Sequence, residues 1–178
     1  MIKPPAYSKI KQPFLHPPTF LEYKDKRFLI TDAPSINNMS IYINEFQQWN
    51  VTDVVRCCKA TYSNSALNDY GIEVHDYIFP DGEPPPKIVI DQWLDLIDSR
   101  FKGLDETKKE EGPCIAAHCV AGLGRAPVLV AIALVEAGMD SLDAVAFVRK
   151  HRHGAISNKQ LRYIEKYKKR SQSSCCIS

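Results

Sequence analysis

The chain has little net charge and no long apolar run. Of its 178 residues, 23 are Lys or Arg and 21 are Asp or Glu, a formal net charge of +2. That balance gives no charge-based argument for nucleic acid as a partner. No stretch reaches the roughly 20 apolar residues that a membrane-spanning helix needs, and the longest candidate, 126 to 137, reads as a buried core helix. Lysines near the N-terminus have no apolar run behind them, which excludes a secretory signal; the expected compartment is reducing and its thiols free. Also missing is any C-x-x-C: the six cysteines, at 57, 58, 114, 119, 175 and 176, give neither a disulfide framework nor zinc-ligand spacing. No metal or cofactor is expected. The absence of Gly-Lys-Ser/Thr excludes a Walker loop, and there is no internal repeat.

What is present is a composition of 44% hydrophobic and 25% charged residues, enough for one domain with a real core. Residues 1–18 carry five prolines and several lysines and read as a disordered arm. From Thr19, "TFLEYKD" and "RFLITD" alternate as a strand pair. "NMSIYINEFQQW" sets Ile41, Phe46 and Trp49 near helical spacing, with Asn38 or Ser40 to cap it. "VTDVVRCC" and "EVHDYIF" read as short strands, the second stopped by Pro80, and "PDGEPPP" as a breaker-rich loop. Ile88, Trp93, Leu94, Ile97 and Phe101 mark an amphipathic helix, and "CIAAHC" a buried strand. A helix ending at Gly138 follows, then one capped by Asp140, then a last one from about Asn158 to Lys169. Strands alternating with helices indicate an α/β domain with a central, largely parallel sheet flanked by helices.

Residues 118 to 126 read "HCVAGLGRA". A strand feeds a turn in which Gly122 and Gly124 permit conformations other residues resist. The backbone N–H groups of Val120, Ala121, Gly122, Leu123 and Gly124 can then converge as an anion nest. A helix begins where the turn ends, and its dipole adds to that field. Arg125 is placed to fork two donors onto phosphate oxygens. Cys119 sits at the base of this positive field as a thiolate poised to attack phosphorus. His118, just before it, orients the loop by hydrogen bonding rather than moving substrate protons.

Thiolate attack requires an acid for the leaving oxygen. Asp81, on the breaker-rich loop, is the candidate; the residues alone equally allow a plain Asp-Gly turn. Asp76 is a rival but lies in a strand-like stretch and reads as structural. Glu83 reads as solvated.

These residues resemble the phosphatases of regenerating liver, a prenylated branch of the dual-specificity protein tyrosine phosphatases. The likeness runs from about residue 19 to the end and rests on "AAHCVAGLGRAPVLVAIALVEAGM", "RFLIT", "VVRCCKATY", "DGEPPP", "GAISNKQ" and "CCIS". It implies the protein tyrosine phosphatase fold over 19–165 and a phosphocysteine mechanism, with Cys119 as nucleophile, Arg125 as clamp and Asp81 as acid, then base. Phosphoproteins or a phosphoinositide would be the substrates. It further implies that Cys58 pairs reversibly with Cys119; without the resemblance, Cys57 and Cys58 read as buried strand residues. Binding of cyclin-M-type magnesium transporters through the same loop, and a homotrimer, are also implied. No nucleic acid is implied.

Two departures matter. "FPDG" stands where the family has paired aspartates before Gly, which leaves Asp81 as the clear acid, and His153 in "HRHGA" replaces a family arginine. Residues 166–178 form a tail in which "KYKKR" precedes "CCIS". The latter fits C-a-a-X with farnesyl on Cys175, and one prenyl chain needs a second, basic signal to hold an anionic leaflet. The expected location is the plasma-membrane inner leaflet and endosomes, with cytoplasm and nucleus for unprenylated chains. Finally, Ala126 follows the arginine where the wider superfamily often has Ser or Thr. Lacking a hydroxyl to assist the leaving thiolate, the second chemical step is expected to be slow.

Overall fold

The computed structural model describes residues 14–104 and 112–170. Eleven elements follow in chain order: β1 Thr19–Tyr23, β2 Lys26–Thr31, α1 Met39–Gln48, β3 Val51–Arg56, α2 Ser65–Asn68, β4 Glu73–Asp76, α3 Lys87–Phe101, β5 Cys114–His118, α4 Arg125–Glu136, α5 Ser141–His151 and α6 Asn158–Glu165. The strands form one sheet in the order β1-β2-β5-β3-β4. Only β1 runs antiparallel to its neighbour; β2, β5, β3 and β4 pair in parallel. This is the α/β sheet expected from the alternating pattern, with β5 inserted at its centre.

Strand alternation divides the core in two, because successive side chains leave opposite faces of a strand. Phe28, Ile30, Val55, Ile115 and Ala117 join α3, α4, α5 and α6 on one face. Leu29, Val54, Cys114 and Ala116 join α1 and α2 on the other. Helix α4 is buried along its length from Arg125 to Val135; small and aliphatic residues on all sides suit a helix packed between a sheet and other helices. Trp93 of α3 is fully buried, and its ring N–H is satisfied by the Leu129 carbonyl at 2.7 Å.

Asp140 caps α5, accepting from Leu142 N at 2.9 Å. Asn38 precedes α1 but does not cap it with its side chain; its Oδ1 accepts instead from Ser35 N at 2.7 Å. The last helix ends at Glu165 rather than near Lys169. Beyond it, Tyr167 donates its hydroxyl to Glu136, and Arg170 pairs with Asp95 and Asp98 of α3. Those contacts draw the chain off the helix axis. Of the Pro-rich arm, residues 1–13 lie outside the described residues, whereas 14–17 lie against the domain. The Phe14 ring meets Tyr42 edge-on at 4.9 Å, and Leu15 N donates to Asp32 Oδ2 at 2.6 Å.

Candidate active site

Strand β5 ends at His118, so Cys119 emerges from the centre of the sheet, and α4 begins at Arg125. Between them the loop's carbonyls are tied from below. Val120 O accepts from Ala33 N at 3.1 Å and Leu123 O from Ile156 N at 2.8 Å. Gly122 O accepts from Arg152 Nε at 2.5 Å and Ala121 O from Arg152 Nη2 at 3.2 Å. No described peptide is cis, and in a trans peptide the N–H points opposite to the C=O of the preceding residue. Each tether therefore turns the next N–H, of Ala121, Gly122, Leu123 and Gly124 in turn, away from the supports. Four consecutive N–H groups are thus turned to the side away from the tethers, the arrangement that an anion nest requires.

Gly122 is in the left-handed region, φ +67°, and glycine is required there. Gly124 is different: its φ is −114°, so no left-handed backbone explains it. A side chain there would come within 3.4 Å of Gln160 Nε2 and 3.5 Å of Asp81 Oδ1, so its smallness keeps the pocket open.

Arg125 is buried, and its Nη1 donates to the carbonyls of Cys57 at 3.2 Å and Phe79 at 3.3 Å. These contacts aim the guanidinium across the pocket and leave Nε without a hydrogen-bond partner. Asp81 Oδ1 lies 3.4 Å from that Nε, on a carboxyl that is 77% exposed. Its other contact is Gly82 N at 3.1 Å. Cys119, Val120, Ala121, Leu123, Gly124, Arg125 and Asp81 all line one open cavity of about 430 Å³, joined by Gly82, Gly154, Ser157 and Gln160. Asp76 is elsewhere, forked onto Arg56 at 2.6 and 2.7 Å, which leaves it a structural anion. Glu83 is more than solvated: it pairs with Lys159 at 2.5 Å and so ties the Asp81 loop to α6.

His118 is 1% exposed and its Nε2 meets the Tyr62 hydroxyl at 2.8 Å. Burial pushes its pKa down to about 4, with the Cys119 backbone pulling the other way. A neutral, enclosed imidazole fits positioning rather than proton transfer to substrate. The sign of its pH effect follows. The unfolded chain takes up a proton below about 6.5, and the folded protein only near 4. Stability is therefore full above that window and falls as pH drops through it, by up to about 3 kcal/mol. Urea unfolding at pH 7 and pH 4.5 should show this loss, and His118→Gln should remove most of it.

Cys57, Cys58 and Cys119 are all buried free thiols. Burial raises the pKa of Cys58, and Arg125 pulls it down. Cys175 lies outside the described residues.

Two residues that shape the site escaped the sequence reading, one below the loop and one at the pocket wall. Arg152 was passed over in favour of its neighbour His153, yet it is the buried prop under the loop, 4% exposed. Burial lowers its pKa, against the pull of Asp32 and Cys119. Gln160 is 1% exposed, with its Oε1 held by Ser157 N at 3.0 Å in a capping box and its Nε2 unpartnered at the pocket wall. The pattern Ser-x-x-Gln was the available signal, but it announces only a helix start. Away from the pocket, Asp53, Glu73 and His75 bring metal-ligand types together. Arg100 forks onto Asp53 at 2.7 and 2.9 Å and reaches Glu73 at 2.6 Å, so a cation of the protein's own already occupies the carboxylates of the cluster.

Among curated proteins, the chain is 45% identical over 168 residues to a probable protein tyrosine phosphatase type IVA A of Dictyostelium discoideum, covering 94% of this chain and 98% of that one. It is 47% identical over 151 residues to human protein tyrosine phosphatase type IVA 3, covering 85% and 84%. The chain belongs to the type IVA protein tyrosine phosphatase family. A solved protein tyrosine phosphatase from Leishmania major has the same fold, with a TM-score of 0.75 at 42% identity over 85% of this chain and 99% of that one. A search of protein-family models finds none that matches. The α/β architecture read from the sequence is thus the protein tyrosine phosphatase fold, and the phosphatase carries its Cys-x5-Arg loop between β5 and α4.

Proposed function

We propose that this phosphatase hydrolyses phosphate monoesters through a phosphocysteine on Cys119. One observation carries the reading: the Cys119 loop, the Arg125 guanidinium and the Asp81 carboxyl face one open pocket. The loop N–H groups and Arg125 hold the three equatorial oxygens. The Cys119 thiolate attacks phosphorus, forming the S–P bond, while the P–O bond to the leaving group breaks and that oxygen takes the Asp81 proton. Water then attacks phosphorus and gives a proton to the Asp81 carboxylate; the S–P bond breaks, releasing phosphate and regenerating the thiolate.

Ala126 is fully buried in the first turn of α4 and brings no hydroxyl. Departure of the thiolate lacks that donor, so the second step limits turnover. An aryl phosphate should give a burst near one equivalent, followed by slow release. Ala126→Ser should raise the steady rate about tenfold, the scale of one added hydrogen bond to a charged group. No burst, with a linear time course from the start, would show that breakdown of the phosphocysteine does not limit turnover and would overturn the role given to Ala126.

The open pocket also favours a second reading, in which an acidic loop of a cyclin-M-type magnesium transporter occupies the phosphate site. Undiminished pull-down of transporter cytosolic domains by Cys119→Asp would refute it. The finer membrane reading places farnesyl on Cys175 beside the basic 166–170 segment, of which Arg170 is committed to Asp95 and Asp98. Membrane fractionation of Cys175→Ser decides it. No described helix is long and apolar enough to cross a membrane. The Cys58–Cys119 pairing rests on the family resemblance, with both residues present as buried free thiols; a peroxide-induced gel shift that survives Cys58→Ser would refute it.

A further inference from the structure

Arg152 does more than fill space below the loop. Its Nε and Nη2 hold two successive loop carbonyls, Gly122 O and Ala121 O. Its Nη1 is held in turn by Pro17 O at 2.9 Å, Thr19 Oγ1 at 2.9 Å and Ile30 O at 3.5 Å. One planar guanidinium thus spans from the segment before β1 to the phosphate loop, a task for a rigid fork that a single ammonium cannot perform. The segment before β1 is itself fastened. Leu15 N and His16 N donate to Asp32 Oδ2 at 2.6 and 3.3 Å, Tyr42 OH donates to Asp32 Oδ1, and Phe14 covers Tyr42.

We infer that Arg152 is the positioning residue of the phosphate loop, and that residues 14–17, fastened through Asp32, set how firmly it holds. The reason is directional. Among the described residues it is Arg152 that grips the carbonyls of Ala121 and Gly122, and that grip sets the direction of the Gly122 and Leu123 N–H groups. Neither Arg152 nor the 14–17 segment lines the pocket. Their effect on phosphate is transmitted through two peptide planes, and the protein keeps the ability to weaken its own phosphate site from a segment that never touches substrate. This inference rests on the proposed use of the loop as a phosphate site.

The test uses the full chain, with tungstate as a tetrahedral oxyanion probe, an aryl phosphate for KM and kcat, and a thermal melt for folding. Arg152→Lys should weaken tungstate binding and raise KM about tenfold, the loss of one charge-assisted bond. Asp32→Ala should cost about threefold, because Arg152 itself is untouched. The combined variant should fall well short of the product of the two, since both act through one guanidinium. A folded Arg152→Lys with unchanged tungstate affinity, or a fully multiplicative double variant, overturns the inference. If either variant melts out, Thr19→Val removes one Nη1 acceptor at the start of β1 and should weaken tungstate about twofold; no change there also overturns it. Failure of the unaltered chain to bind tungstate removes both the inference and the proposed function. Tungstate binding without phosphate release removes only the catalytic reading.

Discussion

Cys119→Ser should release no measurable phosphate, a fall on the order of 10⁴-fold or more in turnover, the scale expected when a nucleophile is lost from a catalytic unit. The size of the effect comes from what surrounds position 119. A serine hydroxyl is a useful nucleophile only beside a base that can take its proton. The nearest imidazole, His118, is buried with Nε2 on the Tyr62 hydroxyl and a pKa near 4. Asp81, the other candidate, faces Arg125 and is assigned to the leaving group. Among the described residues, neither group therefore activates a serine in place of the proposed sulfur nucleophile. The same substitution should leave tungstate binding unchanged or slightly tighter, because the donors that hold an oxyanion are backbone N–H groups fixed from below and the Arg125 guanidinium. The melting temperature should stay within a few degrees, as the change is nearly isosteric. Burst kinetics and tungstate titration on the same preparation check both halves. Residual turnover within tenfold of the unaltered protein would mean that Cys119 is not the nucleophile.

The contrast between retained binding and lost chemistry reflects how much of the site one short peptide contains. Cys119, two glycines and Arg125 sit on a single strand-turn-helix segment. Their spacing alone therefore specified their meeting, and the structure brings Cys119, Gly124 and Arg125 to one pocket, with Gly122 in the turn between them. Asp81 was legible for a weaker reason: an acid on a segment too rich in proline and glycine to be strand or helix. The sequence alone left it open to a plain turn, and only its distance to Arg125 Nε, 3.4 Å, selects the site. Arg152 and Gln160 were not legible. Arg152 lies 30 residues from Gly122, just past the end of α5, and Gln160 lies farther on in α6, where local patterns report only caps and faces. Their importance exists only once α5 and α6 fold over β5. The strand set was readable from alternation, whereas the central place of β5 was not, since order in a parallel sheet is decided by crossovers rather than by any strand's own residues. The expected length of α6 failed for a related reason. Helical residues continue past Glu165, but Tyr167 and Arg170 find better partners in Glu136, Asp95 and Asp98.

Gly122→Ala should be the most destructive single-methyl change in the protein, and Gly124→Ala, two residues away, should be mild by comparison. The loop conformation explains the difference. At Gly122 the backbone is left-handed, which costs a residue with a Cβ about 1–2 kcal/mol before any contact is counted. The added methyl would also overlap the Thr31 carbonyl oxygen and lie 2.6 Å from Arg152 Nη2 and 2.8 Å from the Thr31 carbonyl carbon. Thr31 ends β2 in the sheet, so it cannot retreat cheaply; overpacking of this kind adds about 1–3 kcal/mol. Arg152 must yield instead, and with it the two carbonyl tethers that aim the loop. The expected result is a loss of about 3 kcal/mol or more in unfolding free energy, with tungstate affinity reduced at least about a hundredfold. At Gly124 φ is negative, −114°, and the nearest atoms are 3.4 and 3.5 Å away, ordinary contact distances. Its alanine variant should fold normally, with a penalty confined to the space between Asp81 and Gln160 and read as a lower kcat. Equal unfolding curves for the two variants would contradict the loop geometry. Equal tungstate affinities would contradict the assignment of the Arg152-tethered peptides as the phosphate cradle, because the two substitutions differ chiefly in whether that tether survives.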